Sequence, residues 1–256
     1  MDKIFIGVPL LNRLDLLKKA VATYDHPHEL FVVNNNTVDD ALDAELAQWK
    51  EEAGFDVVSP RFNLGCSASW NRIIMEAMSR GYEYCYIGSN DTTLEPGALA
   101  TFAGMEKKED EGIWLANGMN FFCIRIANIP KIGWFDENFY PAYFEDNDYV
   151  YRCKMAGLLE VGCGPAEREF NGRTLPAIHM HHLGSQTVAS DPVYAAGNSA
   201  TFGQWNRTHF MMKWGGPPGQ ETHKTPYGRA DKDHRWWGDP GGSIAHRDWD
   251  NPKRKA

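Results

Sequence analysis

Residues 84–92 read YCYIGSNDT, a short apolar run that passes directly into a polar turn containing Asp91. An apolar run of this length, bounded by turn residues, is typical of a buried strand. Similar runs occur at residues 4–8 (closed by Pro9), 30–33 and 55–58. Amphipathic helical patterns separate them at about residues 14–21, 39–53 and 70–78. Strands that alternate with helices predict an α/β fold, a mostly parallel sheet flanked by helices that binds ligands beyond the carboxyl ends of its strands.

The second half of the chain has a mixed pattern. Short strands are predicted at residues 120–126, 159–163 and 177–182, and a helix near residues 146–156. A helix-prone stretch at about residues 192–213 leads into a final segment rich in Gly, Pro, Trp and charge. The pattern therefore divides the chain into residues 1–115, residues 116–189, and a C-terminal helix with an irregular arm at residues 190–256.

The composition is that of an ordinary globular protein. Of 256 residues, 43% are hydrophobic and 23% are charged, and the formal net charge of −8 argues against a large nucleic-acid footprint. The five cysteines have no paired spacing, which favours reduced thiols in the cytoplasm. The first residues lack a signal-peptide pattern, and no apolar run approaches the roughly 20 residues of a membrane-spanning helix. We therefore expect a soluble, cytoplasmic protein with no transmembrane segment.

The polar turn after the strand at residues 84–87 is a candidate cation site. Ser89, Asn90 and Asp91 would lie at the carboxyl end of that strand, where the Asp91 carboxylate can bind a hard divalent cation. Such a cation neutralises the two phosphates of a nucleotide leaving group. The alternative is that Asp91 only caps the next helix.

An acidic run, Glu145-Asp146-Asn147-Asp148, begins a predicted helix. Acids in a first turn complement the helix dipole, and Asp148 with Arg152 has the i,i+4 spacing of an ion pair, so a structural role is sufficient for Asp148. Asp146 points about 100° away from the face that Glu145 and Asp148 share. It is therefore free to face a cleft and act as a general base on an acceptor hydroxyl.

Three histidines, His179, His181 and His182, lie close together in a predicted strand. Strand alternation places His179 and His181 on one face and His182 on the other. A neutral imidazole binds Mn²⁺ or Zn²⁺, so a histidine here is a candidate metal ligand, with a structural role as the alternative.

A glycine turn, Asn63-Leu64-Gly65, precedes the predicted helix that contains Asn71. A glycine next to a helix N-terminus can bring backbone N–H groups close to a ligand. The chain has no GxGxxG after its first strand and no GxxxxGK[ST], which counts against Rossmann dehydrogenases and P-loop NTPases.

Taken in order, these segments resemble the family 2 glycosyltransferases, within them a rhamnosyltransferase-like subgroup, over roughly residues 3–189. The residues VPLLNR at 8–13 resemble the first strand and its P-x-x-N-R turn, and VVNNNTVD at 32–39 resembles V-V-D-N-G-S-x-D. Residues 63–71 are similar to N-x-G followed by a helix with Asn, and SNDTTLEP at 89–96 resembles the DxD region. The later matches are GWFDE at 133–137, the acidic run with Arg152 and Gly157, and HHLGS at 181–185.

The resemblance implies a GT-A fold, with residues 1–115 as the nucleotide-binding half and residues 116–189 as the acceptor and catalytic half. It also implies a nucleotide-sugar donor, an inverting displacement and a divalent metal, Mn²⁺ or Mg²⁺. By position, Asp91 would bind the metal with His181 or His182, and Asp146 would be the base with Glu145 beside it. The implied contacts with the nucleotide sugar are Pro9, Asn12, Asn34, Asn35, Asn63, Gly65, Asn71, Ser89 and Asn90.

Two positions depart from the family pattern. Asn34 stands where the family usually has Asp, and Ser89 replaces the first acid of a strict DxD. An amide donates hydrogen bonds where a carboxylate only accepts them, which puts the identity of the base in doubt. With one acid in the DxD region, the histidine becomes more important to the metal site.

The sequence leaves the donor and the acceptor open. Donors linked to UDP, dTDP or GDP all fit, and the acceptor is a surface glycan or, if the enzyme is virus-encoded and works in a host cytoplasm, a modified DNA base or virion component. The alternatives from other classes are a nucleotidyltransferase and a catalytically inactive GT-A module that binds sugar or protein. Residues 190–256, including Trp236, Trp237 and Trp249, are interpreted as an acceptor or assembly module through which the chain could form a homo-oligomer.

Overall fold

The structure is a computed structural model that describes residues 2–116, 118–184, 186–190 and 203–228. Most of the irregular arm, with Trp236, Trp237 and Trp249, lies outside the described residues, as does the first part of the helix predicted at about residues 192–213.

Eleven strands and eight helices are assigned within the described ranges. The strands are β1 (Ile4–Leu10), β2 (His28–Asn34), β3 (Asp56–Val58), β4 (Tyr84–Gly88), β5 (Thr92–Leu94), β6 (Glu111–Leu115), β7 (Phe121–Arg125), β8 (Leu159–Gly162), β9 (Arg168–Phe170), β10 (Arg173–Leu175) and β11 (Met180–His182). The helices are α1 (Leu14–Val21), α2 (Asp40–Ala53), α3 (Gly65–Ser79), α4 (Ala98–Gly104), α5 (Ile129–Ile132), α6 (Glu145–Met155), α7 (Gln186–Ser190) and α8 (Gly203–Trp214).

Seven strands form the central sheet in the order β3-β2-β1-β4-β7-β6-β8. The pairs β1–β2, β2–β3, β1–β4 and β6–β8 are parallel. Strand β7 runs antiparallel to both of its neighbours, β4 and β6. The α/β fold predicted from the sequence, with a mostly parallel sheet flanked by helices, is therefore confirmed.

Side chains that alternate along the strands build a hydrophobic core on each face of the sheet. Phe5 and Ile87 pack in one cluster with Ile73 of α3. Ile6 packs in the other with Leu17 of α1. Helix α3 lies very close to β1 at Gly7. A Cβ atom on Gly7 would stand only 2.0 Å from the Ile73 Cγ2 atom, so only glycine allows this approach. This contact fixes the helix whose first turn reaches the candidate site.

Several short strands differ from the sequence prediction, and β9 and β10 were not predicted. The strand predicted at residues 177–182 is limited to β11 (Met180–His182), and its antiparallel partner β5 (Thr92–Leu94) was not predicted. Segments of three residues are too short for a periodic hydrophobic pattern, so their pairing is set by tertiary contacts. Strand β1 also continues through Pro9, which lies beyond the residues of β1 that pair with β4.

Helix α8 packs onto helix α6. Phe210 and Trp214 are fully buried in a small cluster with Phe139 and Tyr151. The described part of the predicted C-terminal region thus joins the core of the chain, while the boundary at residue 189 stays a prediction. Among the described residues, no helix has both the length and the apolar character needed to cross a membrane.

Candidate active site

A cleft of about 280 Å³ lies beyond the carboxyl ends of β1, β2 and β4. This is the place where a parallel α/β sheet binds ligands. Its lining combines three carboxylates with neutral polar and apolar groups: Pro9, Leu11, Asn35, Asn63, Gly65, Cys66, Trp70, Ser89, Asn90, Asp91, Met119, Asn120, Pro141, Ala142, Tyr143, Glu145, Asp146, His182 and Thr187.

The pairing of β5 with β11 brings Asp91 and His182 together. His182 is aligned with Thr92, the residue after Asp91, and the Leu183 N–H donates to the Asp91 carbonyl oxygen at 3.1 Å. The His182 Nε2 atom lies 3.2 Å from Asp91 Oδ1. The other carboxylate oxygen, Oδ2, accepts a hydrogen bond from the Gln186 N–H at 3.1 Å.

His181 points away from the cleft because successive strand residues face opposite sides. Its side chain is 67% exposed, and its Nε2 atom lies 2.6 Å from Glu95 Oε1. Of the two histidines predicted as alternative metal ligands, the structure brings His182 to Asp91 and leaves His181 outside the cleft lining.

Asp91 and His182 fit a divalent cation as a pair of neighbouring ligands. Two adjacent ligands of an octahedral cation, each at about 2.1 Å, stand about 3 Å apart. The observed separation of 3.2 Å between Oδ1 and Nε2 is close to that value. No group of three or more His, Cys, Asp or Glu side chains in the described ranges could hold a cation. The remaining ligands would therefore be substrate or water oxygens, as is usual for Mg²⁺ beside phosphates.

Six of the nine predicted nucleotide contacts line the cleft: Pro9, Asn35, Asn63, Gly65, Ser89 and Asn90. Asn35 donates to Ser69 Oγ at 2.8 Å and accepts from the Leu64 N–H at 2.9 Å, which ties β2 to the start of α3. Asn90 donates to the Asn12 carbonyl oxygen at 3.1 Å and accepts from Thr187 Oγ1 at 2.9 Å. These bonds fix the orientation of both amides.

Three predicted contacts, Asn12, Asn34 and Asn71, are not part of the cleft lining. The Asn34 amide donates to Asp43 Oδ1 at 2.8 Å, which joins β2 to α2. The Asn71 amide donates to the Phe135 carbonyl oxygen and accepts from the Phe135 N–H, both at 2.9 Å. The Asn12 amide donates to the Thr187 carbonyl oxygen at 3.0 Å. In the structure these three side chains support the frame of the cleft.

Glu145 and Asp146, the two predicted catalytic acids, both line the cleft at the N-terminus of α6. Glu145 is 5% exposed, and no group in the described part of the chain hydrogen-bonds to its Oε2 atom. Burial, together with the negative charge of Asp146, raises the pKa of Glu145 well above its ordinary value. Burial also raises the pKa of Asp146, which is half-buried.

Asp148 has the structural role that its spacing predicted. Both oxygens of its fully buried carboxylate are paired, Oδ2 with Arg152 at 2.8 Å and Oδ1 with Lys213 at 2.6 Å. The indole N–H of Trp214 also donates to Oδ1 at 2.8 Å. The pairing with Arg152 was predicted, whereas the contacts with α8 were not.

Several cleft residues were not among the predicted site residues. Pro141, Ala142 and Tyr143 form a wall of the cleft just before α6, and Thr187 enters from α7. Cys66 lies in the first turn of α3, and burial, with the charges of Glu145 and Asp146, raises the pKa of its thiol well above the ordinary value. The thiol is therefore neutral, and nothing marks it as a nucleophile.

Sequence comparison with known proteins finds a short match. No family model matches the chain. Over 59 residues it is 37% identical to a protein named galactofuranosyl glycosyltransferase from Leishmania donovani, a match that covers 22% of this chain and 14% of that protein.

Solved structures align over a longer part of the chain. A mannosyltransferase from Pyrobaculum calidifontis, in complex with GDP-Man and Mn²⁺, aligns over 62% of this chain and 54% of its own, with a TM-score of 0.52 and 14% identity. GalNAc-T7 with UDP, GalNAc and Mn²⁺ aligns over 70% and 43%, with a TM-score of 0.55 and 9% identity. S. aureus TarS, residues 1–349, aligns over 69% and 60%, with a TM-score of 0.50 and 12% identity. The fold is a GT-A fold. The chain spans about half the length of these solved neighbours and a small part of the curated relative.

Proposed function

We propose that this chain is a metal-dependent, inverting glycosyltransferase that moves a sugar from a nucleotide-sugar donor to an acceptor hydroxyl. The observation that carries the proposal is the cleft that holds Asp91 and His182, 3.2 Å apart, together with Glu145 and Asp146. The GT-A fold and the structural neighbours solved with GDP-Man or UDP and Mn²⁺ support it.

The charge of the cleft supports the need for a cation. Its described lining contains Asp91, Glu145 and Asp146 but no lysine or arginine. A nucleoside diphosphate would meet carboxylates without a compensating cationic side chain from these residues. A divalent cation held by Asp91 and His182 would neutralise the diphosphate leaving group. Mn²⁺ suits this mixed carboxylate and imidazole pair better than Mg²⁺.

The neutral polar lining suits the donor nucleotide. Asn35, Asn63, Ser89 and Asn90 offer amide and hydroxyl groups that both donate and accept hydrogen bonds. Pro9 contributes apolar atoms to the lining, and Gly65, which has no side chain, lets the donor approach the backbone closely. We assign these six residues to the nucleotide sugar and leave Asn12, Asn34 and Asn71 to the frame.

Asp146 is proposed as the general base. In a single displacement, the acceptor oxygen bonds to the anomeric carbon, the bond from that carbon to the nucleotide phosphate breaks, and the hydroxyl proton passes to Asp146. Its raised pKa makes it a better proton acceptor than an exposed aspartate. Burial, with the charge of Asp146, also raises the pKa of Glu145, which favours its protonated form, and a protonated carboxyl can donate a hydrogen bond to the sugar.

The donor class and the acceptor class rest on different observations. The rhamnosyltransferase-like resemblance leaves the donor open among UDP-, dTDP- and GDP-linked sugars, so all three classes belong in the donor panel. The carboxylates at the acceptor side favour a neutral glycan hydroxyl over the polyanionic backbone of nucleic acid.

A donor panel tests the function. The protein is incubated with UDP-, dTDP- and GDP-sugars and Mn²⁺, and release of nucleoside diphosphate is measured. We expect slow hydrolysis of one donor class that EDTA abolishes. Asp146→Asn should lower turnover by a factor on the order of 10² or more while donor binding persists.

The matched control for this variant is Asn147→Ala, one residue further along α6 and outside the cleft lining. Full activity in Asp146→Asn would remove Asp146 from the mechanism and leave Glu145 as the candidate base. No release from any donor would contradict the proposed function and favour a binding module or a nucleotidyltransferase.

A further inference from the structure

Helix α8 (Gly203–Trp214) packs against the loop that forms one wall of the candidate active site. This helix lies outside the segment that resembles glycosyltransferases. Four of its residues are buried, Asn206, Phe210, Lys213 and Trp214. Two of these are polar, so the helix does more than cover an apolar surface. Asn206 reaches the loop that forms the cleft wall, and Lys213 reaches the buried carboxylates of Asp136 and Asp148.

Asn206 holds the loop that precedes α6. Its side-chain amide donates to the carbonyl oxygens of Tyr140, at 3.3 Å, and Ala142, at 2.7 Å. On the other side of this loop, the Cys66 N–H donates to the Pro141 carbonyl oxygen at 2.8 Å. The successive carbonyl groups of Tyr140, Pro141 and Ala142 are therefore held between the first turn of α3 and helix α8.

Lys213 holds the start of α6 itself. Its ammonium group is fully buried and lies 2.7 Å from Asp136 Oδ2 and 2.6 Å from Asp148 Oδ1. Asp148 is two residues after Asp146 on the same helix. The position of α6 is thus coupled to α8 through a charged contact as well as through apolar packing.

The backbone between these two contacts is strained. Tyr143 and Phe144 have φ angles of 81° and 72°, in the left-handed region that side chains with a Cβ atom rarely adopt. Such a conformation persists only where the surroundings impose it, and it is concentrated at functional sites. Here the Phe144 ring packs against Phe210 of α8, with 5.9 Å between the ring centroids. The turn that presents Glu145 and Asp146 therefore depends on α8.

We propose that α8 positions the acceptor-side wall of the cleft, and that Asn206 is a positioning residue for sugar transfer. The inference rests on the proposed function. Asn206 contacts the wall and not the Asp91–His182 pair, so its loss changes the rate of the transfer step and not the binding of nucleotide. A displacement of the base by a fraction of an ångström is sufficient to slow a reaction that depends on alignment.

The test replaces the Asn206 amide. Asn206→Asp has the same shape but only accepts hydrogen bonds when ionised, and Asn206→Ala removes the donors without adding charge. Gln204→Ala, an exposed position on the same helix, is the matched control. Each protein is examined for UDP and GDP binding with Mn²⁺, for kcat and KM of donor turnover, and for amide hydrogen exchange in residues 139–146.

For both Asn206 variants we expect faster exchange in residues 139–146 and a kcat lower on the order of tenfold or more. Nucleotide affinity and donor KM of the Asn206 variants should change less than about twofold, since the wall does not contribute to ground-state donor binding. The Gln204→Ala control should match the parent in every measurement. Unchanged exchange, unchanged kcat, or a parallel loss of kcat and nucleotide affinity would each overturn the inference. An inactive parent chain would count against the proposed function instead, and unchanged exchange in the variants would still refute the positioning role.

Discussion

Glu145 and Asp146 are neighbours in sequence, yet their surroundings differ. Both begin α6 and line the cleft, but Glu145 is almost fully buried with Oε2 unbonded by any described group, whereas Asp146 is half-buried and its Oδ1 accepts from the Asn147 N–H at 2.8 Å. An ionised carboxylate in such a position destabilises the folded state. Because the position of Glu145 does not contribute to stability, we attribute it to the proposed substrate binding.

Replacement of Glu145 by Gln should stabilise the protein at neutral pH. Because the folded-state pKa of Glu145 lies above its unfolded-state value of about 4.3, its contribution to stability is full at low pH and is lost as the pH rises through the folded-state pKa. Glu145→Gln removes that loss, so its melting temperature should exceed the parent's at pH 8 and match it near pH 4. Glu51→Gln, an exposed site on α2, is the control. A Glu145→Gln variant that is less stable than the parent at pH 8 would contradict this assignment.

At the residue scale, the sequence predicted the acidic residues of the cleft correctly but was only partly right about which polar residues line it. The acids Asp91, Glu145 and Asp146 lie in the cleft as expected. Asn34 and Asn71 do not, because their amides satisfy a neighbouring carboxylate and a backbone segment that a motif alone does not reveal. The choice between His181 and His182 required the strand register, which was not predictable without β5.

At the scale of elements, the strands and helices up to β4 were predictable because each has a clear hydrophobic pattern. The short elements were not, and these complete the site. Strands β5 and β11 position the Asp91–His182 pair, and the wall loop before α6 has no regular structure at all. Helix α8 was expected as a helix, but its role in the core depends on buried polar contacts that no periodicity encodes.

The buried charges between α6 and α8 make a prediction about stability. Burial alone would raise the pKa of Asp136, but the charge of Lys213 and hydrogen bonds from His209 and Lys213 hold it well below its usual range. Lys213→Met leaves two buried carboxylates without their ammonium partner and should lower the free energy of unfolding by about 3–5 kcal/mol. Urea unfolding measures this difference.

Lys131→Met, at an exposed position of α5, is the matched control for Lys213 and should change the free energy of unfolding by less than about 0.5 kcal/mol. If the two substitutions have equally small effects, the contacts of Lys213 with Asp136 and Asp148 do not tie α8 to the rest of the chain.

At the scale of the whole molecule, a sheet edge gathers residues from distant parts of the chain into one cleft. The lining extends from Pro9 to Thr187, and its support extends to Trp214. The order of strands and helices predicted a mostly parallel α/β sheet, because alternating elements limit the possible topologies, whereas the GT-A fold itself was implied by the family resemblance. The cleft wall at residues 141–143 was beyond prediction, since it depends on packing between α3, α6 and α8 rather than on a local pattern.

The central claim is that this cleft binds a nucleoside diphosphate through a cation held by Asp91 and His182. Calorimetric titration of UDP and GDP in the presence of Mn²⁺ tests it most directly, with the adjacent histidines as a matched pair. His182→Ala should weaken Mn²⁺-dependent nucleotide binding by about tenfold or more, as loss of a ligand or its support does in metal sites. His181→Ala should bind as tightly as the parent, because that side chain faces solvent and Glu95. Equal affinities for the two variants, or nucleotide binding in the parent that EDTA leaves unchanged, would contradict the account.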